Sequence, residues 1–135
     1  LAVGVALDKS GTADLIAALI VSSVQSNGPV AVLAALFLVT TMLTALITNA
    51  AAVSIMFPIA MSLAEQLDLS PTPFFVAIAF AASGDFMTPI GYQTNLMVYG
   101  PGGYTFRDFF KVGSPLTVMY IILCIVFISN FYNLV

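Results

Sequence analysis

Polar residues interrupt an otherwise apolar chain at intervals, and those interruptions mark out the elements. Residues 1–7 read as the last turns of a helix that stops where charge and glycine coincide, at Asp8, Lys9, Ser10 and Gly11. Thr12 caps the next helix, whose apolar part "ADLIAALIVSSVQ" is too short and too polar at its end to span a membrane. Residues 12–25 are therefore expected to lie along the membrane surface. Asn27, Gly28 and Pro29 then open the run "VAVLAALFLVTTMLTALI", which ends on Thr48 and Asn49. A second helix, "AAAVSIMFPIAMSLAEQL", follows, with Pro58 expected to kink it before Asp68. "SPTP" at 70–73 starts another helix, "FFVAIAFAASGDFM", which is predicted to stop at "TPIGYQTN" and resume with "LMVYG". The polar, aromatic stretch "GPGGYTFRDFFK" reads as a loop, and the final span follows it. Tyr120 and Tyr132 are the expected interface anchors of that span.

The resulting division is a scaffold-helix end and interfacial arm helix over 1–27, and a hairpin over 28–69 with its tip at 47–51. A discontinuous helix over 70–100 is broken at 88–95, a loop covers 101–111, and a last transmembrane helix covers 112–135. The hairpin can be two full spans or one re-entrant pair, since either returns the chain to the side it left. Two full spans would place Lys, Arg, Tyr or Trp at the turn. None is there, which favours a tip packed inside protein near mid-membrane, where irregular backbone lines a cavity or is buried.

Composition fixes the solvent. Of 135 residues, 61% are hydrophobic and 7% charged, against about 25% charged in an ordinary soluble domain, so the fold class is all-α integral membrane. The net charge of −3 rests on few residues, and no basic patch points to nucleic acid. The single cysteine, Cys124, lies in an apolar run and reads as a small packing residue. Leu1 opens inside an apolar segment, so the chain reads as a piece of a longer protein. Arg107 and Lys111 lie opposite Lys9 on this topology, which puts the 101–111 loop in the cytoplasm.

A broken helix carries both poles of a binding site. The half that ends exposes carbonyls, suited to a small cation, and the half that begins exposes amides, suited to an anion. Thr48 and Asn49 mark one break, while Pro89, Gly91, Gln93, Thr94 and Asn95 mark the other. Two such breaks in one fragment are the sequence sign of a secondary transporter. The lysines and arginines are Lys9, Arg107 and Lys111, all far in sequence from both breaks, and there is no histidine. A buried anion without a basic partner is costly, so a co-bound cation is the economical compensation. Asp85 is an acid inside an expected span and thus a candidate proton or cation partner, though beside Gly84 and near Pro89 it can instead bond a freed amide. Arg107 and Asp108 read as a solvated pair, and "GPGGY" as a glycine-rich turn rather than a phosphate loop, since no strand precedes it.

The segments "ALDKSGTADLIA", "LITNAAAVSIMFPIA" and, most specifically, "AASGDFMTPIGYQTNLMVYGPGGY" resemble the divalent anion/sodium symporter family of the ion transporter superfamily. The similarity covers essentially the whole chain and corresponds to the second half of such a permease. "PIGYQTNLMVYGPGGY" is nearer to the sulfate-permease-like branch, which often carries TrkA-C domains between its halves, than to the dicarboxylate carriers. The resemblance implies inverted repeats with a re-entrant helical hairpin and an unwound helix, a homodimer held by a scaffold domain, and elevator-like movement of a transport domain. Carried over residue by residue, it implies that Thr48, Asn49 and Ala50 face the anion with Tyr92, Gln93, Thr94 and Asn95. It gives the oxygens of Thr44, Ile47, Asn49 and Gly91 to one sodium ion.

Two departures from the family pattern, Ala50 in place of a hydroxyl residue and Tyr92 and Gln93 where dicarboxylate carriers have Thr and Pro, prevent transfer of the substrate. The expectation is a sodium-coupled symporter of sulfate or a related oxyanion in a bacterial inner membrane. The alternatives are a dicarboxylate carrier, a proton-coupled permease, and a membrane scaffold subunit whose breaks only pack helices. None of these readings is an enzyme.

Overall fold

A computed structural model of the chain describes residues 2, 6, 9–24 and 28–134. The expected helix end over 1–7, with Asp8, lies outside the described residues except at Ala2 and Ala6, which are helical, and Asn27 also lies outside them. Among the described residues the principal elements are α1 (Thr12–Val24), α2 (Pro29–Thr44), α3 (Asn49–Gln66), α4 (Thr72–Ala82), α5 (Gln93–Tyr99) and α6 (Phe106–Phe131).

Local sequence accounts for most of the helix ends. Pro29 starts α2 because the first helical position has no use for an amide donor, and Gly28 before it adopts φ +85°, a left-handed conformation that glycine tolerates. Thr12 is the first residue of α1 rather than its cap. Its hydroxyl lies 2.7 Å from that of Ser10. α3 continues through Pro58 to Gln66.

α6 begins at Phe106, ahead of the expected 112, because "TFRD" is a capping box. The Asp108 carboxylate accepts from the Thr105 amide at 2.8 Å and from the Thr105 hydroxyl at 2.7 Å. Asp108 thus has a specific structural task while staying solvent-exposed, with the exposed Arg107 among the charges that act on it.

Of the described helices, α6 alone is long and apolar enough to cross a membrane by itself. Its 26 residues reach about 39 Å, more than the ~30 Å hydrocarbon core, whereas the 16 residues of α2 reach about 24 Å.

α2 is the centre of the packing, touching α1, α3, α4 and α6. Leu33, Leu36 and Phe37 of α2 are wholly buried, and Met56 and Leu63 of α3 and Phe74 and Ile78 of α4 complete the core. α1 joins through Ala13, Ala17 and Val21, spaced four apart on one face. It is pinned to α3 where the Ser62 hydroxyl donates to the Asp14 carboxylate at 2.6 Å. α6 lays Gly113, Thr117, Cys124 and Ile128 against the bundle. Its other face exposes Val112, Met119, Leu123 and Phe127, a surface for hydrocarbon rather than water.

Candidate functional site

The first break spans Ala45 to Thr48, between α2 and α3. α2 closes with the Leu46 and Ile47 amides both donating to the Leu43 carbonyl, at 3.0 and 3.1 Å. Beyond that, the carbonyls of Thr44, Ala45, Leu46 and Ile47 accept no backbone amide among the described residues. Thr48 is extended (φ −67°, ψ 149°) and caps α3, its hydroxyl oxygen accepting from the Ala51 amide at 3.3 Å. The amides of Asn49 and Ala50 are left as open donors at the N-terminus of an 18-residue helix.

Thr44 fastens this break to the second one. Its side chain is 0% exposed, and its hydroxyl lies 2.8 Å from Asn49 Oδ1 and 3.0 Å from the Ala82 carbonyl at the end of α4. One hydroxyl proton is shared between two acceptors, so three oxygens meet at one point where α2 ends, α3 begins and α4 ends. The donor set is hydroxyl, amide and carbonyl, neutral hard oxygens that suit a small cation. Among the described residues no group of three His, Cys, Asp or Glu comes together.

The second break runs from Ser83 to Tyr92, earlier than the predicted 88–95. α4 stops at Ala82 because the Ser83 and Gly84 amides turn back to the Phe80 and Ala81 carbonyls at 3.0 and 3.1 Å. Asp85 then takes the Met87 amide at 3.1 Å, an Asx turn that competes with further helix. Asp85 therefore lies in the break and not in a span.

α6 supports this loop from below. Thr117 Oγ1 accepts from the Phe86 amide at 3.4 Å, and the Tyr120 hydroxyl donates to the Phe80 carbonyl at 3.0 Å. Tyr120 is consequently an internal packing residue rather than an interface anchor. Its ring meets Phe86 edge-on at 5.6 Å and fits because position 84 is glycine, where a Cβ would lie 2.6 Å from Tyr120 Cε1.

Between the breaks lies an open cleft of about 550 Å³, lined by Leu46, Ile47, Thr48, Asn49 and Ala50 from one side and Ile90, Gly91, Tyr92, Gln93 and Thr94 from the other. This is within the ~300–1,000 Å³ range of small-molecule sites. Gln93 and Thr94 belong to the first turn of α5 rather than to irregular chain. Asn95 is not at the cleft, since its side-chain amide donates to the Thr88 carbonyl at 3.2 Å. Thr44 does not line the cleft but bonds Asn49, which does.

Sequence reasoning did not find Ala82, whose contribution is a carbonyl that every residue carries. Nor did it find Thr88 or Thr117, whose partners are distant in sequence or buried. "TP" beside Asp85 was the available signal for Thr88.

A helical membrane domain whose polar groups converge from two helix breaks on one cleft belongs to the class of membrane transporters. The chain is a member of the citrate transporter (CitMHS) family, which it matches over residues 1–134. It is 46% identical over 116 residues to an uncharacterized transporter of Synechocystis sp., covering 86% of this chain and 19% of that protein. It is 55% identical over 89 residues to a putative sulfur deprivation response regulator of Chlamydomonas reinhardtii, covering 66% of this chain and 15% of that protein. Sodium/sulfate cotransporter 1 of the same alga is 42% identical over 117 residues, covering 86% and 13%. The chain thus spans about a fifth or less of the length of these curated relatives. No solved structure matches it.

Proposed function

We infer that the full-length protein is a secondary active symporter that carries a small divalent oxyanion, sulfate ahead of dicarboxylates, together with sodium, and that this chain is its C-terminal repeat. The observation that carries the reading is the Thr44 hydroxyl, which joins Asn49 of the first break to the Ala82 carbonyl just before the second, beside a cleft lined by residues of each break.

The cation is held on the oxygen side, by Asn49 Oδ1, the Thr44 hydroxyl and the open carbonyls of the first break, with Ile47 and Gly91 contributing theirs. The anion is held on the amide side, by the N-terminus of α3 with Thr48 and Ala50, and by Tyr92, Gln93 and Thr94 across the cleft. A helix N-terminus supplies only about half a positive charge, which leaves a dianion largely uncompensated. No Lys or Arg occurs between Lys9 and Arg107, so the co-bound cation supplies the balance and couples the two fluxes.

The names of the algal cotransporters support sodium and sulfate, and the family description supports a carboxylate competitor. A multi-pass topology in a bacterial inner membrane, a re-entrant first hairpin, a homodimer and an N-terminal repeat outside this chain complete the proposal.

Uptake of labelled sulfate into proteoliposomes holding the full-length protein is expected to require an inward sodium gradient. Unlabelled sulfate is expected to compete better than succinate or citrate. Uptake driven equally well by a proton gradient without sodium contradicts the coupling, and stronger competition by citrate contradicts the substrate.

A further inference from the structure

We propose that buried Asp85 and half-buried Thr88 are a positioning pair that sets the shape of the second break and holds Gly91 at the cleft, without either residue contacting the transported ions. The proposal rests on the transport reading above and deepens it.

Asp85 is 0% exposed. Burying a carboxylate is expensive, and with no basic residue nearer in sequence than Lys9 and Arg107 its compensation comes from donors of its own loop. One is the Met87 amide at 3.1 Å, and the other is the Thr88 hydroxyl at 2.6 Å.

The chemistry of the pair is directional. The Thr88 hydroxyl gives its proton to Asp85 Oδ2 and so turns a lone pair the other way. That lone pair accepts from the Gly91 amide at 3.0 Å. The Gly91 amide is thus used inside the loop and is not a ligand of the anion.

Close packing reinforces the hydrogen bonds. A Cβ at position 91 would meet the Asp85 carboxylate, so glycine lets the chain stand this close without displacing that side chain. The Thr88 carbonyl accepts from Asn95, and the Tyr92 hydroxyl donates to the Ser83 carbonyl at 2.8 Å, which closes the loop on itself at both ends. Its outward side, Ile90 to Thr94, lines the cleft, while Asp85 and Thr88 stay behind it.

The test compares wild type, Thr88→Ser, Thr88→Val and Asp85→Asn in the full-length protein. In amide hydrogen exchange, Thr88→Val removes the acceptor of the Gly91 amide. Exchange in a peptide covering 86–92 is expected to rise about ten-fold, the scale of one lost buried hydrogen bond, while Thr88→Ser keeps the wild-type rate. In uptake assays Thr88→Val and Asp85→Asn are expected to raise the KM for both sodium and sulfate about ten-fold with a smaller change in maximal rate, and Thr88→Ser is expected to restore both.

Wild-type exchange in Thr88→Val, or a Thr88→Ser variant as impaired as Thr88→Val, overturns the proposal. So do altered exchange with unchanged KM and a wild-type KM in Asp85→Asn. If the wild type shows no sodium-dependent sulfate uptake, the transport reading fails, and the exchange measurement still decides whether the pair holds the loop. Should Asp85→Asn fail to fold, the two Thr88 variants carry the test alone.

Discussion

Asn49→Ala in the full-length protein is expected to abolish sodium-dependent anion uptake while leaving the protein folded. Asn49 is the first residue of α3, where alanine is tolerated, so the helix survives the change. Its side chain serves both sides of the proposed site. Oδ1 sits 2.8 Å from the Thr44 hydroxyl in the three-oxygen cluster, and the residue also lines the cleft beside Thr48 and Ala50. Removing it takes one oxygen from the cation and leaves the Thr44 hydroxyl with the Ala82 carbonyl as its remaining acceptor. A hydrogen bond or ligand contact to a charged group is worth about 1.5–3 kcal/mol, which corresponds to roughly a 10- to 150-fold loss of affinity. The check is uptake across a range of sodium concentrations, with a monodisperse size-exclusion profile as evidence of folding. Unchanged uptake by a folded Asn49→Ala protein refutes the site.

Among the described glycines, Gly113 is the one where replacement by alanine is expected to cost the most stability. A Cβ at position 113 would lie 1.9 Å from the Phe86 carbonyl oxygen, 2.5 Å from its carbon and 2.9 Å from Met87 Cα. These are backbone atoms of the second break, which cannot swing aside as a side chain would. Replacing glycine by alanine inside a helix gains about 1 kcal/mol from propensity, whereas overpacking typically costs about 1–3 kcal/mol and more when backbone must move. The clash wins. Relieving it lifts α6 from the loop and breaks the contact one turn on, where Thr117 accepts from the Phe86 amide. Gly100→Ala is the control, because position 100 has φ −71° and open space around it. Thermal melting of the purified proteins should show a clearly lowered transition for Gly113→Ala and none for Gly100→Ala. Equal transitions would mean that α6 does not press on the break.

Both breaks were legible in the sequence because they are written in residue types. Thr48 and Asn49 interrupt a run that contains no other reason to stop, and Pro89 and Gly91 punctuate the other, whereas Asn95 lies in α5. Their exact extents were not legible. α4 stops at Ala82, where the Ser83 and Gly84 amides turn back, and Asp85 beyond it captures the Met87 amide; a carboxylate in an apolar stretch looks the same in sequence whether it faces a cavity or folds back on its own chain. The start of α6 was written in "TFRD", but charges beside a glycine-rich loop read equally well as solvated. Least visible were contacts made by atoms that every residue has. The Ala82 carbonyl against Thr44 and the Phe86 carbonyl against Gly113 depend on how helices distant in sequence are packed. Tyr120 shows the same limit, since a tyrosine in the last span fits an interface anchor until the space at Gly84 is known.

If the two breaks form one site, a cation and an anion bound there stabilise each other. Linkage makes this measurable without transport, because a cation that raises anion affinity must have its own affinity raised by the same factor. The measurement is equilibrium binding of labelled sulfate to the purified full-length protein over a sodium titration, repeated with Asn49→Ala. Sulfate binding is expected to tighten about ten-fold or more as sodium rises, on the scale of typical coupling energies, and Asn49→Ala to remove most of this dependence. Sulfate affinity that is the same with and without sodium, and the same in Asn49→Ala, would contradict it.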